Sequence, residues 1–556
     1  MRGVGQLIPI GILVVGLSCP LQSAERNWKS SGSKGLVVSG TSTGTSAGIE
    51  ILSKGGNAAD AAAASILALS VSAIGAFCIG GEAPALVYDA TSKRVKVLAG
   101  QGTAPLEPQA IRWYLDNGIP GDSVRAAAVP AVVDLVVTLL RFYGTRSFRD
   151  VVQPTLKLLD SGGPSWYIDS SDGRRIETGR NWQADLASTM RKLVEAEDKA
   201  SGSRVEKLQA VANRFYRGDI ADALERWYIS QGGFLRKCDL ASHRTAIEEP
   251  VQTHYRDYTI YKCGPWTQGP FLLQSLNLLE GFDLKGMRFL SADYIHVVTE
   301  SMKLAFADRD EYYGDPRFVS VPIAALLSEQ YTDLRRSLID MQRASLQIRP
   351  GDPNHMRPLR KASPPAPSQG GTTTLCVADR WGNLIAVTPS GLGSTAGVAG
   401  ETGIIHGARL VSLNTWEGHP NCIAPGKRPR ITLTPTLVLR AGRPVLAISV
   451  AGGDLQDQVA LQLILDHIEF QMLPEEALPA PRFATRHHTG SFGQDQPDLG
   501  SLQVNDRISE AVRGDLARRG HVLKTTSQQI GGPAMIFLDS GSGISYGAGS
   551  AAGKVE

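Results

Sequence analysis

The residues best suited to covalent chemistry are Gly370-Gly371-Thr372-Thr373-Thr374, directly behind a proline-rich stretch and at the head of a β-prone run. The run continues Leu375-Cys376-Val377-Ala378, turns through Asp379-Arg380-Trp381-Gly382-Asn383, and returns through Leu384-Ile385-Ala386-Val387-Thr388. Two such runs around a Gly-Asn turn predict a hairpin. A hydroxyl residue opening a strand behind a flexible Gly-Gly pair is a place where a chain can cut itself. The cut would leave a threonine carrying both its hydroxyl and a free α-amine. That unites nucleophile and base on one residue, since an α-amine titrates near ~8 and a lysine amine near ~10.4. An ordinary hairpin behind a linker accounts for the same letters, so the surrounding elements must discriminate.

Those elements fall into two regimes. Leu36–Ser39 reads as a short strand, and Gly55-Gly56-Asn57-Ala58-Ala59-Asp60 opens an Ala-rich helix to about Ser72. Ala85–Tyr88 and Val95–Leu98 form a hairpin-like pair, and 128–346 reads as mostly helical. The segment 349–371 has six prolines and no periodicity, which predicts an exposed tether. Behind it the pattern turns to strands at Thr436–Leu439, Val445–Val450, Ala534–Leu538 and Ile544–Tyr546, with a helix around Gln456–Phe470. Strand pairs with helices before and after predict two sheets sandwiched between helical layers.

At 556 residues the chain is too long for one small core, and a formal charge of +3 implies no nucleic-acid or membrane-surface partner. Arg2, the apolar run Leu7–Leu17 and Ser23-Ala24 have the layout of a signal peptide, too short for a membrane span. This predicts export, to a periplasm or the medium, with Cys19 offering a lipoprotein alternative. Without the leader five cysteines remain, an odd count without close pairing, which argues against a disulfide framework. His487-His488 is the only histidine pair, and neighbours on a strand would face opposite ways, so no metal site is expected. The glycines of Gly40–Gly48 lack a Gly-Lys-Ser/Thr ending and do not make a phosphate loop.

In order along the chain, seven blocks resemble the γ-glutamyltransferase (glutathione hydrolase) family of N-terminal nucleophile hydrolases. They are Gly55–Ala61, Met302–Arg309 with Tyr313-Gly314-Asp315-Pro316, the hairpin 372–388, Val398–Ile404, Lys427-Arg428-Pro429, Ser449-x-x-Gly452-Gly453, and Ala480-Pro481-Arg482-Phe483. The resemblance implies an α+β fold, a four-layer αββα sandwich assembled from two subunits of one precursor. It divides the chain into a signal peptide 1–24, a large subunit 25–371 with a Pro-rich tail, and a small catalytic subunit 372–556. Self-cleavage would fall between Gly371 and Thr372, where a residue without Cβ allows the hydroxyl to approach the carbonyl.

The same resemblance implies that Thr372 attacks an amide of a small molecule or peptide, with its own α-amine as base. Gly452 and Gly453 would supply the oxyanion hole, one such donor being worth ~3 kcal/mol, although a simple turn accounts for them too. Ser390 matches a hydroxyl that supports the nucleophile. No cofactor is implied, and the two subunits are each other's partners.

The substrate pocket departs from the family pattern. Gln101 stands where members that grip a γ-glutamyl α-carboxylate have arginine, and it lacks the charged fork. The acidic residue for the α-ammonium falls at about Val411 or Ser412, and the paired serines appear as Ile431-Thr432. Arg409 offers a replacement positive charge, with an ordinary surface arginine as the equal alternative. Besides the default γ-glutamyl compounds such as glutathione, two readings follow. One is a family acylase or small-amide hydrolase with another specificity; the other is a non-catalytic exported binding protein on the same scaffold.

Overall fold

The computed structural model describes residues 28–168, 174–179, 181–359, 371–391 and 397–556. The expected leader and residues 360–370 of the tether lie outside them.

The hairpin forms in the predicted register, with Leu375–Asp379 antiparallel to Leu384–Val387 and Ala378 opposite Leu384. Its turn is locked by one side chain. Asp379 Oδ1 accepts from the backbone N–H of Trp381 and Asn383 at 2.9 and 3.0 Å, while Gly382 takes φ 88°. Asp379 Oδ2 accepts from Ala58 N at 2.8 Å, the first N–H of the helix Ala58–Ser72. A carboxylate there satisfies an orphan donor and complements the helix dipole. Two blocks far apart in sequence, Asn57–Asp60 and the hairpin turn, thus fasten each other.

The hairpin sits at the centre of a seven-stranded sheet. Its order is Ala551–Lys554, Gly35–Ser39, Leu375–Asp379, Leu384–Val387, Ala85–Asp89, Arg94–Ala99 and Ala246–Glu248. A second seven-stranded sheet runs Lys29–Gly32, Ile544–Ala548, Gly532–Asp539, Arg443–Ala451, Thr436–Arg440, Tyr258–Lys262 and Val251–Tyr255. The alternation of side chains along a strand builds the layers. Leu36, Val38, Cys376, Ala378, Leu384 and Ala386 pack inward against Leu437, Ala447, Ala534 and Ile536 of the second sheet. Val37, Val377, Ile385 and Val387 point outward into helices that include Ala58–Ser72 and Val132–Tyr143. The outer face of the second sheet, through Val438, Ile448 and Met535, is covered by Gly269–Leu279, Ala292–Tyr312 and Leu455–Ile468. The fold is a four-layer αββα sandwich.

Both sheets mix strands from before residue 371 with strands from after 372, so the two portions share one core. Sequence reading made 128–346 mostly helical, yet Ala246–Glu248, Val251–Tyr255 and Tyr258–Lys262 are strands that complete the sheet edges. The stretch Gly40–Gly48 is no phosphate loop: Thr41 caps a helix, Ser42–Ser53, by accepting from Gly44 N at 3.0 Å. No described helix is long and apolar enough to cross a membrane. Among the described residues every cysteine is free and no cluster of three metal-ligating side chains exists. His487 Nδ1 accepts from Gly500 N at 2.8 Å, which leaves Nε2 to donate to the Gln347 carbonyl at 3.1 Å.

Candidate active site

Thr372 is half-buried at the head of the central strand, and its neighbours are tied down on both sides. Thr373 N donates to the Pro389 carbonyl at 2.9 Å, and Gly40 N to the Thr374 carbonyl at 3.0 Å. A Cβ on Gly40 would lie 1.9 Å from Thr373 Oγ1, so a larger residue there would force that side chain to turn. Chain and hairpin therefore hold the Gly371-Thr372 peptide in one place.

Ser390 faces that peptide. Its hydroxyl donates to the Gly371 carbonyl at 2.5 Å. Its own backbone exchanges two hydrogen bonds with Glu82, at 3.0 and 2.9 Å. Arg409, in the short turn Arg409–Ser412, donates through Nη2 to Ser390 Oγ at 2.8 Å and through Nε to Glu82 Oε1 at 2.7 Å. Its Nη1 reaches Ser412 Oγ at 3.3 Å. Arg409 is 1% exposed and Glu82 3%, so this is a buried ion pair and not a surface arginine. Burial pushes the Glu82 carboxyl upward while Arg409 opposes the shift. Three residues singled out from sequence, Ser390, Arg409 and Ser412, are thereby joined.

From the other sheet, Arg443–Ala451 ends at Gly452 and Gly453, with φ of 134° and 60°, before the helix Leu455–Ile468 begins. That backbone favours glycine, and a Cβ on Gly453 would also meet the Phe492 ring at 2.9 Å. A helix start carries N–H groups without intrahelical partners and the positive end of its dipole, which suits a developing anion. Gln456, in the first turn, links this end to Thr372. With its amide turned to satisfy both ends, Nε2 donates to the carbonyls of Thr432 and Val450 at 2.9 and 3.2 Å. Its Oε1 then faces Thr432 Oγ1 at 3.3 Å and Thr372 Oγ1 at 3.4 Å. Thr432 is thus linked to Thr372 through Gln456.

Asp454, directly after the glycines, is anchored by Arg309 Nη1 at 2.6 Å and by Ser491 N and Oγ at 2.9 and 2.6 Å. Burial alone would push its carboxyl up, but Arg309 and Ser491 outweigh it and hold the group well below the usual carboxylate range. A cleft of about 730 Å³ opens from the glycine pair between Leu455, Ser491, Phe492 and Lys524.

Gln101 has a hydrogen bond to the chain itself. It is 2% exposed, its Nε2 donates to the Pro429 carbonyl at 2.9 Å, and its Oε1 is buried without a protein partner. Val411 packs with Ala126, Ala408 and Phe492 in an apolar cluster, and Ile431 is buried between the sheets.

Sequence reasoning missed Glu82, Gln456 and the Arg309–Asp454 pair. Glu82 could have been suspected as a lone acid behind Gly80-Gly81 in an apolar stretch. Nothing local marks Gln456, whose role depends on the crossing of two sheets.

A family model described as Gamma-glutamyltranspeptidase matches residues 44–554. The glutathione hydrolase proenzyme of Escherichia coli (strain K12) is 31% identical over 531 residues, covering 90% of this chain and 88% of the relative. The acylase ACY 1 proenzyme of Pseudomonas sp. (strain SE83) is 30% identical over 539 residues, covering 90% and 89%. The solved structure of LmbA2991HD superposes with a TM-score of 0.84 at 31% identity, covering 95% of this chain and 99% of that one.

Proposed function

The chain belongs to the γ-glutamyltranspeptidase family, and on that premise we propose that Thr372 is the nucleophile of an exported, self-processing amidohydrolase or acyltransferase. The precursor loses a leader at about residue 24 and cuts itself between Gly371 and Thr372. Large (25–371) and small (372–556) subunits stay together as a heterodimer. The observation that carries this reading is the meeting at the Gly371-Thr372 peptide of a donor on the Gly371 carbonyl and the Gln456 side chain from the first turn of the helix Leu455–Ile468.

In the mature enzyme the Thr372 hydroxyl attacks the amide carbonyl while the Thr372 α-amine takes its proton. The N–H groups of Gly452 and Gly453 receive the oxyanion. Collapse of the intermediate expels the amine and leaves an ester on Thr372, which water or an acceptor amine then resolves. Gln456 orients the nucleophile's hydroxyl through its side-chain amide. The names of the relatives make γ-glutamyl compounds such as glutathione the default substrate class.

A second reading, an acylase-like specificity, is favoured by the pocket residues. The Gln101 amide is tied to Pro429, Arg409 is neutralised by Glu82, and Val411 sits among apolar side chains. A zwitterionic head group placed there without charged partners would cost several kcal/mol.

Denaturing electrophoresis with N-terminal sequencing tests the common part: a band beginning Thr372-Thr373-Thr374 is expected. A full-length band stable for days would favour the idle scaffold. Comparing kcat/KM for a γ-glutamyl anilide and for an acyl anilide without α-amino and α-carboxylate groups decides between the two specificities.

A further inference from the structure

The ion pair Glu82–Arg409 has no part in the steps assigned to the mature enzyme, yet it is buried and aimed. All three guanidinium nitrogens of Arg409 are engaged, on Glu82, Ser390 and Ser412. Its charge is therefore not presented to a substrate. Its contact leads instead to the chain's own carbonyl: Arg409 Nη2 donates to Ser390 Oγ at 2.8 Å, and Ser390 Oγ donates to the Gly371 oxygen at 2.5 Å.

We propose that Arg409, held by Glu82, is the positioning group for self-cleavage: it polarises the Ser390 hydroxyl, and that hydroxyl stabilises the oxyanion formed on Gly371. The proposal rests on the self-processing reading above and names the groups that drive it. A hydroxyl that accepts from a cation is a stronger donor, and the effect is larger where water is excluded. Glu82 serves twice. Its carboxylate compensates a guanidinium that would be costly to bury alone, and its backbone pairs reciprocally with Ser390, so acid, arginine and hydroxyl are registered as one unit.

The step balances without any reagent beyond water. Thr372 Oγ bonds to the Gly371 carbonyl carbon, and the oxyanion forms beneath Ser390. The C–N bond then breaks, and the departing Thr372 nitrogen takes the hydroxyl proton to become the α-amine. The resulting ester between Gly371 and Thr372 Oγ is hydrolysed to a Gly371 carboxylate and a free threonine hydroxyl. This assigns two separate oxyanion supports: Ser390–Arg409–Glu82, beyond the end of the hairpin, for the chain's own peptide, and Gly452–Gly453, beyond the end of Arg443–Ala451, for the substrate.

The test follows the cutting of freshly synthesised full chain on denaturing gels, for wild type, Ser390→Ala, Ser390→Thr, Arg409→Lys, Arg409→Ala and Glu82→Gln. Removing an oxyanion donor typically costs 10²–10³ in rate, so about 100-fold slower cutting is expected for Ser390→Ala, and at least ~10-fold for Arg409→Lys and Glu82→Gln. Ser390→Thr, which keeps the hydroxyl, should cut within about 10-fold of wild type. Millimolar guanidinium ion should accelerate Arg409→Ala without raising its melting temperature, which a merely structural role would not produce. Folded Arg409→Lys and Glu82→Gln chains that cut at the wild-type rate overturn the proposal while leaving self-processing intact. A folded wild-type chain that never cuts overturns the self-processing reading itself.

Discussion

Arg309 Nη1 lies 2.6 Å from Asp454 Oδ1, so the long helix Ala292–Tyr312 grips the residue directly after Gly452 and Gly453. The pair crosses the boundary between the two portions of the chain and fixes the approach of the glycine loop to its helix. Asp454→Asn keeps the shape and removes the charge. Because oxyanion donors act only if held in place, kcat of the processed enzyme should fall at least ~10-fold with a smaller change in KM. Arg309→Met should destabilise the fold by about 3–5 kcal/mol, as loss of one partner of a buried pair does, read by urea unfolding. Unchanged kcat in processed Asp454→Asn would detach the pair from catalysis.

Thr372→Ala should stay uncut and inactive, because the variant has no hydroxyl for either acyl transfer. Thr372→Ser should retain part of both, since only the methyl group is lost. N-terminal sequencing of the alanine variant is the check; normal cutting there would assign the cleavage to another residue or a protease.

Gln456 links Thr432 to Thr372 through one amide. Gln456→Leu fills the volume and removes the polar contact, leaving the Thr372 hydroxyl without its orienting acceptor. Turnover of the processed enzyme should drop by about 10–100-fold, with cutting slowed less. Equal activity in the leucine variant would make Gln456 a packing residue.

Asp315 joins two sequence blocks, Gly314-Asp315-Pro316 and Lys427-Arg428-Pro429. Arg428 N donates to its Oδ2 at 2.9 Å, Arg428 Nη2 to Oδ1 at 3.1 Å, and Arg317 adds a second fork. Burial raises this carboxyl, but the two arginines prevail and hold it at about 2. The folded value is depressed, so the stabilisation is present above the unfolded value near ~3.9 and is lost as pH falls through ~4 to ~2. Asp315→Asn should forfeit about 2–3 kcal/mol at pH 7 and flatten that acid limb. A urea midpoint measured from pH 7 to pH 2 checks both.

The hairpin was legible because Asp379, Gly382 and Asn383 specify their own turn within five residues. The helix opened by Asn57 was legible for the same reason, its capping box lying within four. The strands at 246–262 were not, since Ala246–Glu248 and Tyr258–Lys262 join their sheets only by pairing with the distant segments Val97–Ala99 and Leu437–Arg440.

The types of residue available for chemistry, a threonine behind Gly-Gly, a serine past the hairpin and a second Gly-Gly before a helix, are properties of the sequence alone. Which of them meet is not. Arg409 reads as a free cation in the sequence and is a buried one bound to Glu82, 327 positions earlier, and Gln456 reads as an ordinary helix residue. Local turns and caps are closed by neighbours in the chain, whereas the partners of a buried charge are chosen by how two sheets stack, and that is a property of the packed core.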